Sequence, residues 1–205
     1  MDALYCVMKI MTRSYTLKQR AESQADTRRR IVEATVELHS TLGPARTSIS
    51  AVAERAGVQR HTVYAHFPTE KDLFAACSGM AMERDPLPDE TAWQAISDPE
   101  QRLQRGLSEL YAWYARNAEM TASVLRDAEV HAMTRETARR TMAPRMHALQ
   151  QALVQGFGKT RDLRAAVGLA MSFHTWRSLV QDNGMNAQAA VDLMVRAVRC
   201  VAEKR

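Results

Sequence analysis

Apolar residues recur every three or four positions through most of the chain, the period of an amphipathic helix and not of a strand. Ile31, Thr35, Leu38 and Leu42 fall on one stripe, with Ala34 beside them. Asp26 is the expected N-cap of this first helix, and Gly43-Pro44 the expected stop, with the glycine in the αL region. A short second helix is predicted from about Ser48 to Ala56, broken by Gly57. A third runs from about Arg60 to His66 and ends at Phe67-Pro68. Thr69-Glu70-Lys71-Asp72 reads as a capping box, with Asp in the usual place of Glu, opening a fourth helix to about Glu83. Asp85-Pro86-Leu87-Pro88-Asp89 is the strongest punctuation in the chain. Asp98-Pro99 restarts the pattern, with helices expected over about 99–117, 119–131, 134–157, 161–182 and 187–203. Pro144 should kink or interrupt the third of these, Gly158 and Gly184 are stops, and Asn186 is a cap. The chain therefore reads as all-α in three parts: a flexible basic arm over 1–25, a small module over 26–84, and a larger helical domain over 85–205.

Composition supports this reading. Eight Gly, six Pro and 6% aromatic residues in 205 argue against a β-sandwich or barrel. A hydrophobic fraction of 46% with 25% charged residues is that of a globular chain. Three scattered cysteines, Cys6, Cys77 and Cys200, form no C-x-x-C, so neither a disulfide framework nor a zinc ribbon is expected. The first residues lack a basic stretch and a cleavage site, and no apolar run approaches a membrane span. The expected location is cytoplasmic. The net charge of +5 permits a polyanionic partner without proving one. Seven basic residues (Lys9, Arg13, Lys18, Arg20, Arg28, Arg29 and Arg30) face two acidic ones, Glu22 and Asp26, between positions 9 and 30. That excess suits either a solvated tail or a phosphate-contacting arm beside a DNA-binding module.

The stretch Thr47 to Phe67 is the most informative. Ile49, Val52, Ala53 and Ala56 face inward at helical spacing. Small Ala53 allows a second helix to cross close by, and Gly57 stands where the chain must turn sharply. Val58 and Val63 plug the angle between two helices, while Gln59, Arg60, His61 and Thr62 are polar and face out. This is the layout of a helix-turn-helix, whose second helix enters the major groove by its N-terminal residues. With Thr62-Val63-Tyr64, Phe67 and Lys71-Asp72-Leu73-Phe74 added, the segment from about Arg30 to Phe74 resembles the DNA-binding module of tetracycline-repressor (TetR) family regulators. Two positions depart from that pattern: His39, where the family usually carries an aromatic, and Pro44, which replaces a frequent aromatic.

The resemblance implies an all-α homodimeric regulator that reads a DNA operator and responds to a small effector. By position it implies that Ser48, Tyr64, His66 and Lys71 meet phosphates, and that Arg60, His61 and Thr62 meet base edges and flanking phosphates. It also implies an effector pocket in the larger domain, for which Trp113, Tyr114, Met120, Met133, Met171, His174 and Trp176 are the candidates, expected to suit a largely apolar molecule. Glu129, His131 and His147 are further sources of polarity. No cofactor is expected, and histidines on separate helices give no metal-ligand spacing. Leu163, Ala166, Val167, Ala170 and Met171, followed by Ala190, Leu193, Met194, Ala197, Val198 and Val201, form stripes on the last two helices and are the expected dimer seam. No G-x-S-x-G, P-loop, Rossmann or H-E-x-x-H motif is present. The competing readings are a helical binding or adaptor protein without DNA, and an enzyme of unrecognised type.

Overall fold

The structure, a computed structural model, describes residues 2–203, with side chains from Lys18 onward. The described residues form helices and turns and no strand. The helices are α1 (Asp2–Thr41), α2 (Ile49–Ala56), α3 (Arg60–His66), α4 (Glu70–Arg84), α5 (Pro99–Arg116), α6 (Ala118–Val130), α7 (Ala132–Thr141), α8 (Ala143–Val154), α9 (Arg161–Ala170), α10 (Phe173–Trp176) and α11 (Ala187–Glu203). Two cores organise them. Ile31, Val32, Leu38, Val52, Ala53, Val63, Phe67 and Leu73 close the small one, from α1 to α4. Leu103, Leu107, Tyr111, Leu149, Leu153, Val167, Trp176, Val191 and Val198 belong to the large one, from α5 to α11.

Local capping explains most boundaries. Ser48 accepts from the Ala51 N–H and caps α2. Thr69 and Asp72 form a reciprocal capping box on α4. Asp98 accepts from the Gln101 N–H, with Pro99 in the first turn of α5. Asn186 accepts from the Ala189 N–H at the start of α11. Pro144 sits in the first turn of α8, so the expected 134–157 helix is two helices meeting at Met142.

Three expectations need correction. Asp26 caps nothing: α1 begins far upstream, and the Asp26 carboxylate instead pairs with Arg29 at 2.7 Å and Arg30 at 3.3 Å. Gly43 has a positive φ of 94°, but its ψ of 153° is extended and not αL. The expected helix over 161–182 breaks at Met171, although no proline lies there. The break is stabilised from α5: the Tyr111 hydroxyl donates to the Ala170 carbonyl at 2.9 Å, and the Tyr114 hydroxyl to the Met171 carbonyl at 2.7 Å. These bonds satisfy carbonyls that a terminated helix leaves without N–H partners. Ser172 then caps α10, which runs into a π-helical turn over Arg177–Asp182.

The expected dimer seam splits. Leu163, Val167, Ala170, Met171, Ala190 and Val198 are buried in the chain's own core. Leu169 remains 63% exposed. Ala197 is exposed, and Ala166, Leu193, Met194 and Val201 are half-buried.

Candidate DNA-binding surface and effector cavity

The angle between α2 and α3 is set by Gly57, whose φ of 66° and ψ of 39° are left-handed. Its N–H bonds back to Ala53 and Glu54, and the Val58 N–H follows to the Ala53 carbonyl at 2.9 Å. Arg30 reaches across from α1 and donates to the Ala56 carbonyl at 3.0 Å, capping α2 from outside. Val63 and Phe67 bury the inner face of α3, which forces its other residues outward. Arg60, His61 and Tyr64 are exposed on that helix, Tyr64 at 42%. Thr62 and His66 are half-buried beside them. Ser48 at the start of α2 and Lys71 in the first turn of α4 are exposed. The Ser48 oxygen is occupied as a cap acceptor, which leaves its O–H to donate elsewhere.

The basic segment before this surface is partly committed to the module. Arg28 lies over the Phe67 ring at 4.4 Å, Arg29 pairs with Asp26 and Glu33, and Arg30 holds α2. Lys18 pairs with Glu22 at 4.0 Å. Lys9 and Arg13 lie outside the residues whose side chains are described, as does Cys6.

The second site is a cavity of about 550 Å³ between the two cores. Trp113, Tyr114, Met120, Met171 and His174 line it. Met133 and Trp176 do not. Met133 is half-buried on α7, outside the lining. Trp176 stands one layer behind, its ring 5.9 Å from Tyr114 and 5.4 Å from Phe173. Trp113 is fixed by an indole N–H bond to the Asp85 carbonyl at 2.9 Å. His147 contributes to the wall; His131 and Glu129 do not.

Sequence periodicity missed the other wall. His39 comes from α1, and Phe74, Cys77, Ser78, Ala81 and Met82 come from α4, all within the small module. Val124 and Leu125 of α6, Thr137 of α7, and Met142 and Met146 at the junction with α8 complete much of the rest. The His39 departure from the expected aromatic was the available signal. Its Nδ1 lies 3.4 Å from the Cys77 sulfur. Burial lowers His39 to about 4 and pushes the Cys77 thiol up to about 12, so both are neutral near pH 7.

Helix α6 is shared by the cavity and the small module. Its Met120, Thr121, Val124 and Leu125 line the cavity. Its other side grips the end of α1. The Asp127 carboxylate accepts from the Ala45 N–H at 2.8 Å and from Arg126 at 2.8 Å. Ser123 donates to the Ser40 carbonyl at 3.3 Å. A Cβ at Gly43 would overlap the Arg126 and Asp127 side chains. Burial raises the Asp127 carboxyl, but Arg126, the Ala45 N–H and the nearby Arg46 together outweigh it, leaving it below its usual value.

Residues 31–77 match the family model of bacterial regulatory proteins, tetR family. The N-terminal module belongs to the TetR family. Among curated relatives, the HTH-type transcriptional repressor KstR of Mycolicibacterium smegmatis is 33% identical over 106 residues, 52% of each chain. The protein of that name in Mycobacterium tuberculosis is 30% identical over 106 residues, 52% of this chain and 48% of its own. The chain thus spans about half the length of the curated relatives it matches. Solved structures extend the likeness in fold beyond the TetR module. The fatty acid degradation regulator FadR of Bacillus halodurans has a TM-score of 0.61 at 17% identity, covering 84% of this chain and 94% of its own. The TetR family regulator PfmR of Thermus thermophilus has a TM-score of 0.59 at 20% identity, covering 81% and 97%. No helix among the described residues is long and apolar enough to cross a membrane.

Proposed function

We propose that the protein is an effector-responsive transcriptional repressor. On this reading it binds a pseudo-palindromic operator as a homodimer and leaves when a small, largely apolar molecule enters the cavity. The observation that carries it is the shared construction of the two sites: α1 and α4 belong to the small module and also form one wall of the cavity. The repressor names of the curated relatives support the same reading.

Each part has a physical role. Arg60, His61 and Thr62 open the recognition helix at the base edges, where an arginine can pair bidentately with guanine. Ser48, Tyr64, His66 and Lys71 position the module on phosphates. A dimer engages two half-sites only with its recognition helices about 34 Å apart. An effector against α4 and α6 favours the conformer in which the clasp at Asp127 sits differently, and that conformer has the wrong spacing. The expected effector is apolar because Met120, Val124, Leu125, Met142, Met146 and Phe173 surround the space.

The test is selection of bound duplexes from a random pool, followed by binding measured against salt concentration. A repressor should enrich a palindrome and lose affinity steeply as salt rises. Arg60→Ala should cost about 1–3 kcal/mol and relax sequence preference, while Tyr64→Phe should weaken all duplexes alike. An adaptor or an enzyme enriches nothing, and that outcome refutes the proposal.

A further inference from the structure

Charged residues make up 25% of the chain, yet among the described residues the cavity wall contains no Asp, Glu, Lys or Arg. The ionisable groups that it does contain fall into two sets. Inside, burial keeps His39, Cys77 and Tyr114 uncharged near pH 7, and the Tyr114 hydroxyl is already committed to the Met171 carbonyl. The charges that act on this set from behind the wall are paired elsewhere: Asp127, which acts on His39, with Arg126, and Arg84, which acts on Cys77, with Glu33. The second set is His147 and His174. Together with Ala143 they are the exposed residues of the lining, so the mouth lies between α8 and α10.

The polarity of the chamber is therefore that of dipoles. Ser78 donates to the Thr141 hydroxyl oxygen at 3.2 Å, and Thr141 donates in turn to the Thr137 carbonyl at 2.9 Å, all three residues belonging to the wall. Hydroxyls exchange hydrogen bonds with a neutral polar group but supply no opposite charge to an ion. An ion taken from water into such surroundings loses its hydration without gaining a counter-ion, which costs far more than the transfer of a hydroxyl. A carboxylate or ammonium head is accepted only where water still reaches it, at the mouth.

We propose that the effector is electrically neutral and is taken up whole: a compact apolar molecule whose polar group, a hydroxyl, ester or ketone, is enclosed in the chamber, while carboxylates and ammonium ions are rejected. This deepens the reading of the cavity as an effector site and rests on it. The wall selects by charge, and its methionines leave the outline of the guest adaptable.

The test uses 1-octanol, octanoate and octylammonium, three probes with the same chain and different heads. Their dissociation constants are measured by titration calorimetry near neutral pH. A head left in the water of the mouth keeps its hydration, so all three would bind alike, whereas an enclosed head separates them. Octanol should bind the parent at least about tenfold more tightly than either ion. Two separate fillings of the chamber, Thr137→Trp on α7 and Met146→Trp on α8, should each weaken octanol at least about tenfold, and one suffices if the other fails to fold. An ion that binds the parent within tenfold of octanol overturns the neutrality of the effector while leaving the cavity reading intact. Failure of all three probes to bind the parent, or octanol binding untouched by a folded filling variant, overturns the cavity reading and the neutrality with it.

Discussion

Acidification should reveal how firmly His39 is held in its neutral form. In the unfolded chain its imidazole binds a proton near 6.5, while in the folded chain burial lowers that value to about 4. Protons therefore favour the unfolded chain between these values. The stability due to neutral His39 is fully present above 6.5 and falls away as pH drops toward about 4. Each unit of separation is worth about 1.4 kcal/mol, so acidifying from about pH 7 to about pH 5 should cost about 2 kcal/mol. The comparison is His39→Phe, which places the family's usual aromatic at this position and removes the titration. The chain has six histidines in all, and the other five are common to both proteins, so the comparison isolates His39. Urea unfolding followed by circular dichroism, at both pH values and for both proteins, gives the number. If parent and variant lose stability in parallel, His39 is protonated without penalty and its burial has been misjudged.

Three further perturbations test other parts of the structure. Gly43→Ala places a Cβ against Arg126 and Asp127 at a φ of 94°, and should destabilise the chain by about 1–3 kcal/mol in thermal unfolding; an unchanged midpoint would contradict the close approach. Asp127→Asn keeps the side chain's size but removes its charge, and should cost about 1–3 kcal/mol in urea while weakening the effect of any cavity ligand on DNA affinity; unaltered coupling would detach α6 from transmission. The parent should sediment as a dimer at micromolar concentration and Ala197→Glu should shift it toward monomer without unfolding it, whereas a monomeric parent would remove the dimer from the proposal. Ala170 is unsuitable for that experiment, because it is 1% exposed within the chain's own core and a charge there unfolds the protein.

What could be read in advance depended on how far apart the interacting residues are. The capping box on α4, the Gly57 turn and the Pro144 interruption are decided within a few residues, so a local pattern reveals them. The inward and outward faces of α3 follow from Val63 and Phe67 against Arg60, His61 and Tyr64, which again lie within two helical turns. The cavity does not obey that limit. His39 and Cys77 are 38 positions apart, and Ala45 and Asp127 are 82 apart. Residues such as Met82 or Met142 look like ordinary core until the packing of α4 against α7 is known. Trp176 illustrates the opposite error: a large aromatic on a helix near the cavity need not face it, and this one supports Tyr114 and Phe173 from behind. The interruption at Met171 was hidden for the same reason, since the hydroxyls that sustain it come from residues 57 and 59 positions earlier.

That interruption differs in kind from the one at Pro144. A proline ring is covalent, so the chain must bend there in every state it visits. The turn at Met171 is held without a covalent constraint: two phenolic hydroxyls donate to two carbonyls, and Ser172 caps the helix that follows. Met171 and Phe173, which flank it, face the cavity, and so does the Tyr114 ring. The path of the backbone beside the cavity therefore rests on hydrogen bonds, and a pair of oxygen atoms acts as the catch. Removing both by Tyr111→Phe and Tyr114→Phe leaves ring packing in place and would let the segment straighten. Descendants of this sequence could thus acquire a differently shaped chamber without altering one residue of its greasy lining.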